Sequence, residues 1–158
     1  MSKKTRLVQL DNPFKEAVEA TPEISNCYQA GLTALGNNSQ KITLGNNRDC
    51  SGSVFIDRCT EANRGPEPRW DYVFSYRNEA IFVEVHPAET GEVNAVLAKL
   101  RWLKSWLRDH APLLEVQKSK EHPYYWIASK SVHVLKGTPQ YNRAAQERLL
   151  PVSHLHIK

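Results

Sequence analysis

The chain reads as an α/β domain: a central mixed sheet of about four strands flanked by helices, in the order helix, three strands, helix, strand, with an added C-terminal helix. Three observations predict this. The stretch RWDYVFSYRNEAIFVEVHPA (Arg69 to Ala88) has the composition of two strands joined by a tight turn. Glu92 to His110 carries Val93, Val96, Leu97, Leu100, Leu103 and Leu107 on one helical stripe. Tyr124 to Leu135 (YYWIASKSVHVL) returns to aromatic and β-branched residues.

The elements follow in order. Asn12-Pro13 is a capping residue followed by proline at the first helical position, which predicts a short helix over Pro13–Ala20. Thr21-Pro22-Glu23 repeats that signal. Ile24, Cys27, Tyr28, Gly31, Leu32 and Leu35 then recur at helical spacing, so a second helix is expected there, stopped by Gly36. LGNN occurs twice, at Leu35–Asn38 and Leu44–Asn47, and reads as two turns around a short strand, Lys41–Leu44. Ser53–Asp57 is a strand. Residues 58–68 hold Gly65, Pro66 and Pro68 and read as a loop. Arg69–Tyr76 and Ala80–His86 form the hairpin, ended by Pro87. Thr138-Pro139 opens a last helix, Pro139–Leu150. Residues 1–12 and 151–158 are expected to be loose tails on a single domain.

The chain has 158 residues, enough for one domain with a sizeable core. Its charged fraction of 24% is that of an ordinary globular protein. The start, MSKKTRLVQLDNP, lacks the apolar run of a secretory signal, and no segment is apolar enough to span a bilayer. Cys27, Cys50 and Cys59 are odd in number and form no CxxC pair. That argues against a disulfide framework or a zinc site and for a reducing, cytoplasmic setting with each cysteine a small buried side chain. The net charge of +4 permits an anionic partner without demanding one.

The chemistry concentrates in the hairpin. Glu84 and His86 are two apart and share a strand face. Glu84, set among valines, is costly to bury without a cation, a proton or a hydrogen bond. Turn geometry decides what Asp71 meets. An Asn78-Glu79 loop sets Asp71 opposite His86, and an Arg77-Asn78 loop sets it opposite Glu84. A three-residue loop without a bulge sends Asp71 to the other face. Alternatively, Asp71 pairs with Arg69 or Arg77 at the strand edge. On the long helix, Lys99 falls inside the apolar arc near Trp102 and Trp106, where it either reaches the site or runs its stem over the tryptophans to water. The tryptophans offer a stacking surface for bases, or a core or subunit interface. Lys118, Lys120, Lys130 and Lys136, near Tyr124 and Tyr125, are a second possible backbone-tracking group.

The element order, with an acid early in one core strand (Asp71) and Glu84-x-His86 late in the next, resembles the PD-(D/E)xK nuclease superfamily. As topology the resemblance runs from about Pro13 to Leu135; as motif it covers Asp71, Glu84 and His86. It implies that Asp71 and Glu84 hold magnesium or manganese for cleavage of a nucleic-acid phosphodiester. The third position, usually lysine, is His86, which can ligate a metal or move a proton near neutral pH. Trp70 stands where a proline often precedes the first acid. Some members take their lysine from the helix after the third strand, which makes Lys99 the candidate here. The first helix often adds a glutamate, for which Glu16 and Glu19 are the candidates. The other reading of the same resemblance is an inactive member, retained as a nucleic-acid-binding or protein-interaction module and able to form a homodimer.

Overall fold

The computed structural model describes residues 12–158. The hairpin is its centre. Strands β4 (Tyr72–Tyr76) and β5 (Glu79–Glu89) pair antiparallel, with Tyr72 opposite Val83 and Tyr76 opposite Glu79. The loop is therefore Arg77-Asn78, and both residues have positive φ (52° and 65°). That conformation matches the right-handed twist of the two strands. Arg77 tolerates it because Asp49 holds it twice: the Arg77 amide donates to the Asp49 carbonyl (2.9 Å) and the guanidinium to the carboxylate (3.0 Å). Pro87 does not end β5. The strand runs on to Glu89, with a register shift between His86 and Ala88 that accommodates the proline.

Strand β3 (Gly52–Phe55) pairs antiparallel with β4, and β6 (Tyr124–His133) runs parallel to β5. A parallel neighbour needs a crossover, and α3 (Val93–His110) supplies it. Its stripe of Val96, Leu100, Leu103, Trp106 and Leu107 packs on the sheet face of Val73, Phe82 and Trp126. The opposite face of Phe74, Ile81, Val83 and Ile127 is buried as well, beneath Leu35 and Leu155. Burial of both faces explains why YVFSY and AIFV read as continuous apolar runs. The sheet is mixed and covered by helices, as predicted.

Five strands form it: a strand at Gln29–Ala30 (β1), then β3, β4, β5 and β6 in that order. The added strand, β1 (Gln29–Ala30), lies inside the segment expected to be the second helix. Only a single 3-10 turn, Pro22–Ile24, forms where that helix was to begin, and a longer irregular 3-10 stretch covers Thr33–Lys41. Gly31 and Gly36 both adopt positive φ and interrupt any continuous helix. Tyr28 passes directly over Gly52, where a Cβ would meet its ring at 2.2 Å, so the strand pairing of β1 requires glycine at that position.

Three further expectations are corrected, and one helix is added. Most of the stretch assigned to a loop is α2 (Ile56–Arg64), which buries only Ile56 and Thr60 and ends at Gly65 with φ 53°. A short α4 (Pro112–Gln117) follows α3 directly. The last helix, α5 (Pro139–Gln146), stops short of Leu150 but starts at the predicted Thr138 cap. Residues 151–158 are not loose. Val152 bonds to the backbone of Trp126 and Ala128, and β7 (Leu155–Ile157) pairs in parallel with β2 (Ile42–Leu44). Of the other predicted tail, Asn12 caps α1 (Pro13–Glu19), and residues 1–11 lie outside the described residues. Among the described residues, no helix is long and apolar enough to cross a membrane.

Cys27 and Cys59 form a disulfide that ties the segment before β1 to α2, while Cys50 stays free and buried. The expectation of three unpaired thiols is overturned, and with it the cysteine argument for a reducing compartment. Closing a loop of 32 residues is worth about 3–4 kcal/mol of stability in the chain-entropy picture. Replacing both cysteines by serine should lower the unfolding free energy by about that amount in a urea titration. An unchanged midpoint and slope would show that the bridge does not constrain the unfolded chain.

Candidate functional site

One residue beyond the Tyr72–Val83 pair, the hairpin register sets Asp71 opposite Glu84. The two carboxylates bond across the strands in a reciprocal way. The Asp71 amide donates to Glu84 Oε1 (3.0 Å), and the Val85 amide donates to Asp71 Oδ2 (3.0 Å). Glu84 is completely buried. Its second oxygen accepts the Lys99 ammonium, delivered from α3, and lies 3.6 Å from His86 Nδ1. His86 Nε2 is in turn 2.7 Å from Glu92 Oε1. A chain of charge thus runs Lys99–Glu84–His86–Glu92, with Asp71 beside it.

Each group's electrostatics follows from this packing. Burial, then the neighbouring Glu84 charge, push Asp71 up to about 7, against the pull of Lys99 and of the Val85 amide. His86 is raised by its hydrogen bond to Glu84 and further by Glu92, against burial and the Lys99 charge. Burial pulls Lys99 down, but the charge and hydrogen bond of Glu84, with Asp71 and Asp57 behind them, outweigh it and leave Lys99 raised. Lys99 is therefore a fixed cation, and Asp71 exchanges its proton near neutrality.

Asp71, Glu84, His86 and Lys99 converge, but the remaining candidates do not join them. Glu16 and Glu19 are exposed on α1 and make no ion pair or hydrogen bond to this cluster. Asp57, expected at the end of a strand, sits instead in the first turn of α2, and its carboxylate is held by Arg69 at 2.8 Å. Arg69 and Arg77 pair with Asp57 and Asp49, so neither is the partner of Asp71. Lys99 turns onto Glu84 instead of running out to water. Trp102 and Trp106 stack on each other (centroids 5.6 Å apart, 9° between planes), and Trp106 lies in the core, so the pair is spent on internal packing. Glu92 was not expected. Its sequence position marks only a helix start, and it reaches His86 because β5 and α3 are joined by a tight turn over Thr90–Glu92.

Whether these groups suit a metal depends on the donors left over. Asp71 Oδ1 accepts no hydrogen bond from a described residue, whereas both His86 nitrogens face carboxylates. Among the described residues, no group of three or more His, Cys, Asp or Glu side chains is arranged to hold an ion. A zinc site, which takes three or four protein ligands, does not fit these residues. The donor left over, Asp71 Oδ1, is a single hard oxygen, of the kind magnesium or manganese takes with water as its other ligands. Comparison with protein-family models, curated proteins and solved structures gives no match.

Replacing Lys99 by methionine strands a buried carboxylate and should destabilise the protein by about 3–5 kcal/mol. Adding Glu84→Gln should recover most of that loss. Additive losses in the double variant, measured by denaturant unfolding, would mean the two groups are not coupled.

The pH dependence follows from the same network. Asp71 keeps a proton in the fold up to about 7, whereas the unfolded chain loses it near 3.8. Its contribution is present at low pH and is lost as pH rises through about 7. His86 acts with the same sign: its contribution is present below 6.5 and is lost as pH rises through its raised value. Thermal stability of the wild type should fall between pH 3.8 and about 7, and Asp71→Asn should flatten that fall. Parallel curves for the two proteins would remove Asp71 from the account.

Proposed function

We propose that this domain is a divalent-metal-dependent phosphodiesterase acting on nucleic acid. The observation that carries the reading is the convergence of two carboxylates from paired strands with a lysine ammonium from the crossover helix. Asp71 and Glu84 would hold magnesium or manganese. When bound, such an ion polarises a phosphodiester and lowers the pKa of a coordinated water. Asp71, free at Oδ1, is the carboxylate open to the ion and must shed its proton to accept it. Lys99 places a permanent positive charge beside both carboxylates, where it can orient water and offset phosphate charge. His86, whose pKa is raised by its hydrogen bonds to Glu84 and Glu92, stands at the rim of the site, where it can move a proton.

A second reading is favoured by one observation: Lys99 and His86 already neutralise Glu84 without any metal. A non-catalytic nucleic-acid-binding domain would need no more than that.

Calorimetric titration with manganese separates the two. The wild type should bind, with affinity rising about tenfold per pH unit below pH 7 and levelling above it, because the ion must displace the Asp71 proton. Asp71→Asn and Glu84→Gln should each abolish both binding and cleavage of an oligonucleotide. Binding that is absent in the wild type, or equal in all three proteins, leaves the non-catalytic reading.

A further inference from the structure

The hairpin has a second open feature, on the face opposite the carboxylates. A cleft of about 740 Å³ lies between the Thr33–Lys41 segment and α2. That is within the usual size of a ligand site. Both cysteines of the disulfide line it, so its two walls are covalently clamped. Phe55 and Tyr72, partners across the β3–β4 ladder, form an aromatic floor with ring centroids 4.5 Å apart. The Arg58 guanidinium lies 5.4 Å from the Phe55 ring. Side-chain amides of Gln29, Asn37 and Asn38 stand around the floor, and Asn38 also donates to the Tyr72 hydroxyl (3.0 Å). Among its described lining residues there is no carboxylate, and Arg58 is the one charged side chain.

This chemistry selects a ligand. An aromatic floor takes a flat π-face. Amides carry a donor and an acceptor together, which matches the polar edge of a base. Arg58, the one cation among the described lining residues, favours a group attached to phosphate. The position is also apt. Tyr72 directly follows Asp71, so their Cα atoms are about 3.8 Å apart, with side chains on opposite faces of the strand. A nucleic-acid strand crossing this rim can present a phosphate to Asp71 while the adjoining base enters the cleft. A base stacked inside a duplex cannot reach the floor.

We propose that this cleft binds an unpaired base next to the scissile phosphodiester, which makes single-stranded nucleic acid the substrate class. The proposal deepens the phosphodiesterase reading and rests on it for the bond cleaved.

The test is fluorescence anisotropy in EDTA with a labelled ten-nucleotide oligothymidylate, a duplex of equal length and an abasic decamer with the same phosphates. The single strand should bind at least tenfold more tightly than the abasic strand or the duplex. Phe55→Leu and Arg58→Gln should each weaken it about five- to hundredfold, without lowering the thermal midpoint. Should Phe55→Leu fail to fold, Arg58→Gln and Asn37→Ala, both at exposed positions, decide. Equal affinity for the abasic strand, preference for duplex, or variants that match the wild type would overturn the proposal. Because EDTA removes metal, a failure of manganese binding or cleavage counts against the phosphodiesterase reading alone. Loss of base recognition with manganese binding intact counts against this cleft alone.

Discussion

A carboxylate with no access to water is the constraint around which this domain is arranged. Glu84 sits in a central strand with both sheet faces covered. An ion removed from water costs several kcal/mol unless it is paired and hydrogen-bonded. Three neighbours contribute to that pairing: the residue leading into β4 through the Asp71 amide, α3 through Lys99, and β5 itself through His86. The hairpin register and the rotation of α3 about its axis are thereby coupled, since a slip in either would leave the charge alone. An apolar residue at 84 would be simpler for stability alone. Titratable groups shifted by burial and by one another are also what functional sites are made of.

The hairpin, α3 and β6 were legible because each has a strong local pattern. The Asp71–Glu84 pairing was legible only as one of two registers, and the choice fell to the backbone at Arg77 and Asn78. Asn78 suits a positive φ, but Arg77 carries no such mark; its contacts with Asp49, far away in the chain, hold the turn. Lys99 was visible as a misplaced charge in an apolar arc, since one helical period suffices to find it. The Glu92–His86 contact had no such signal, because it depends on how tightly the chain turns after β5.

The failures have a common cause. From Ile24 to Leu35 the apolar residues do recur at helical spacing, but they are shared between a 3-10 turn, an edge strand and the wall of a cleft. Tertiary demands there, namely strand pairing to β3, the Tyr28–Gly52 contact and the bridge to Cys59, override the local pattern. In α2 the reverse holds. A polar segment is helical although it buries little, because it is anchored at Cys59 and by the Asp57 amide to the Asp71 carbonyl (3.3 Å). Cysteines 32 residues apart carry no spacing motif, and their pairing follows only from the fold.

The parallel pairing of β2 with β7 has a kinetic meaning. Its two members lie more than a hundred residues apart, and among the described residues neither has another strand partner. All five strands of the main sheet are complete in the chain before β7 is made. The ion network can therefore assemble while Ile42 and Leu44 still lack cover, and long-range parallel contacts are the slow ones to close. The segment held down by that late step, Thr33 to Leu44, includes one wall of the aromatic cleft. The two sites thus hang on different parts of the fold: the carboxylate cluster on the main sheet alone, and the cleft also on the chain's return to hold its wall.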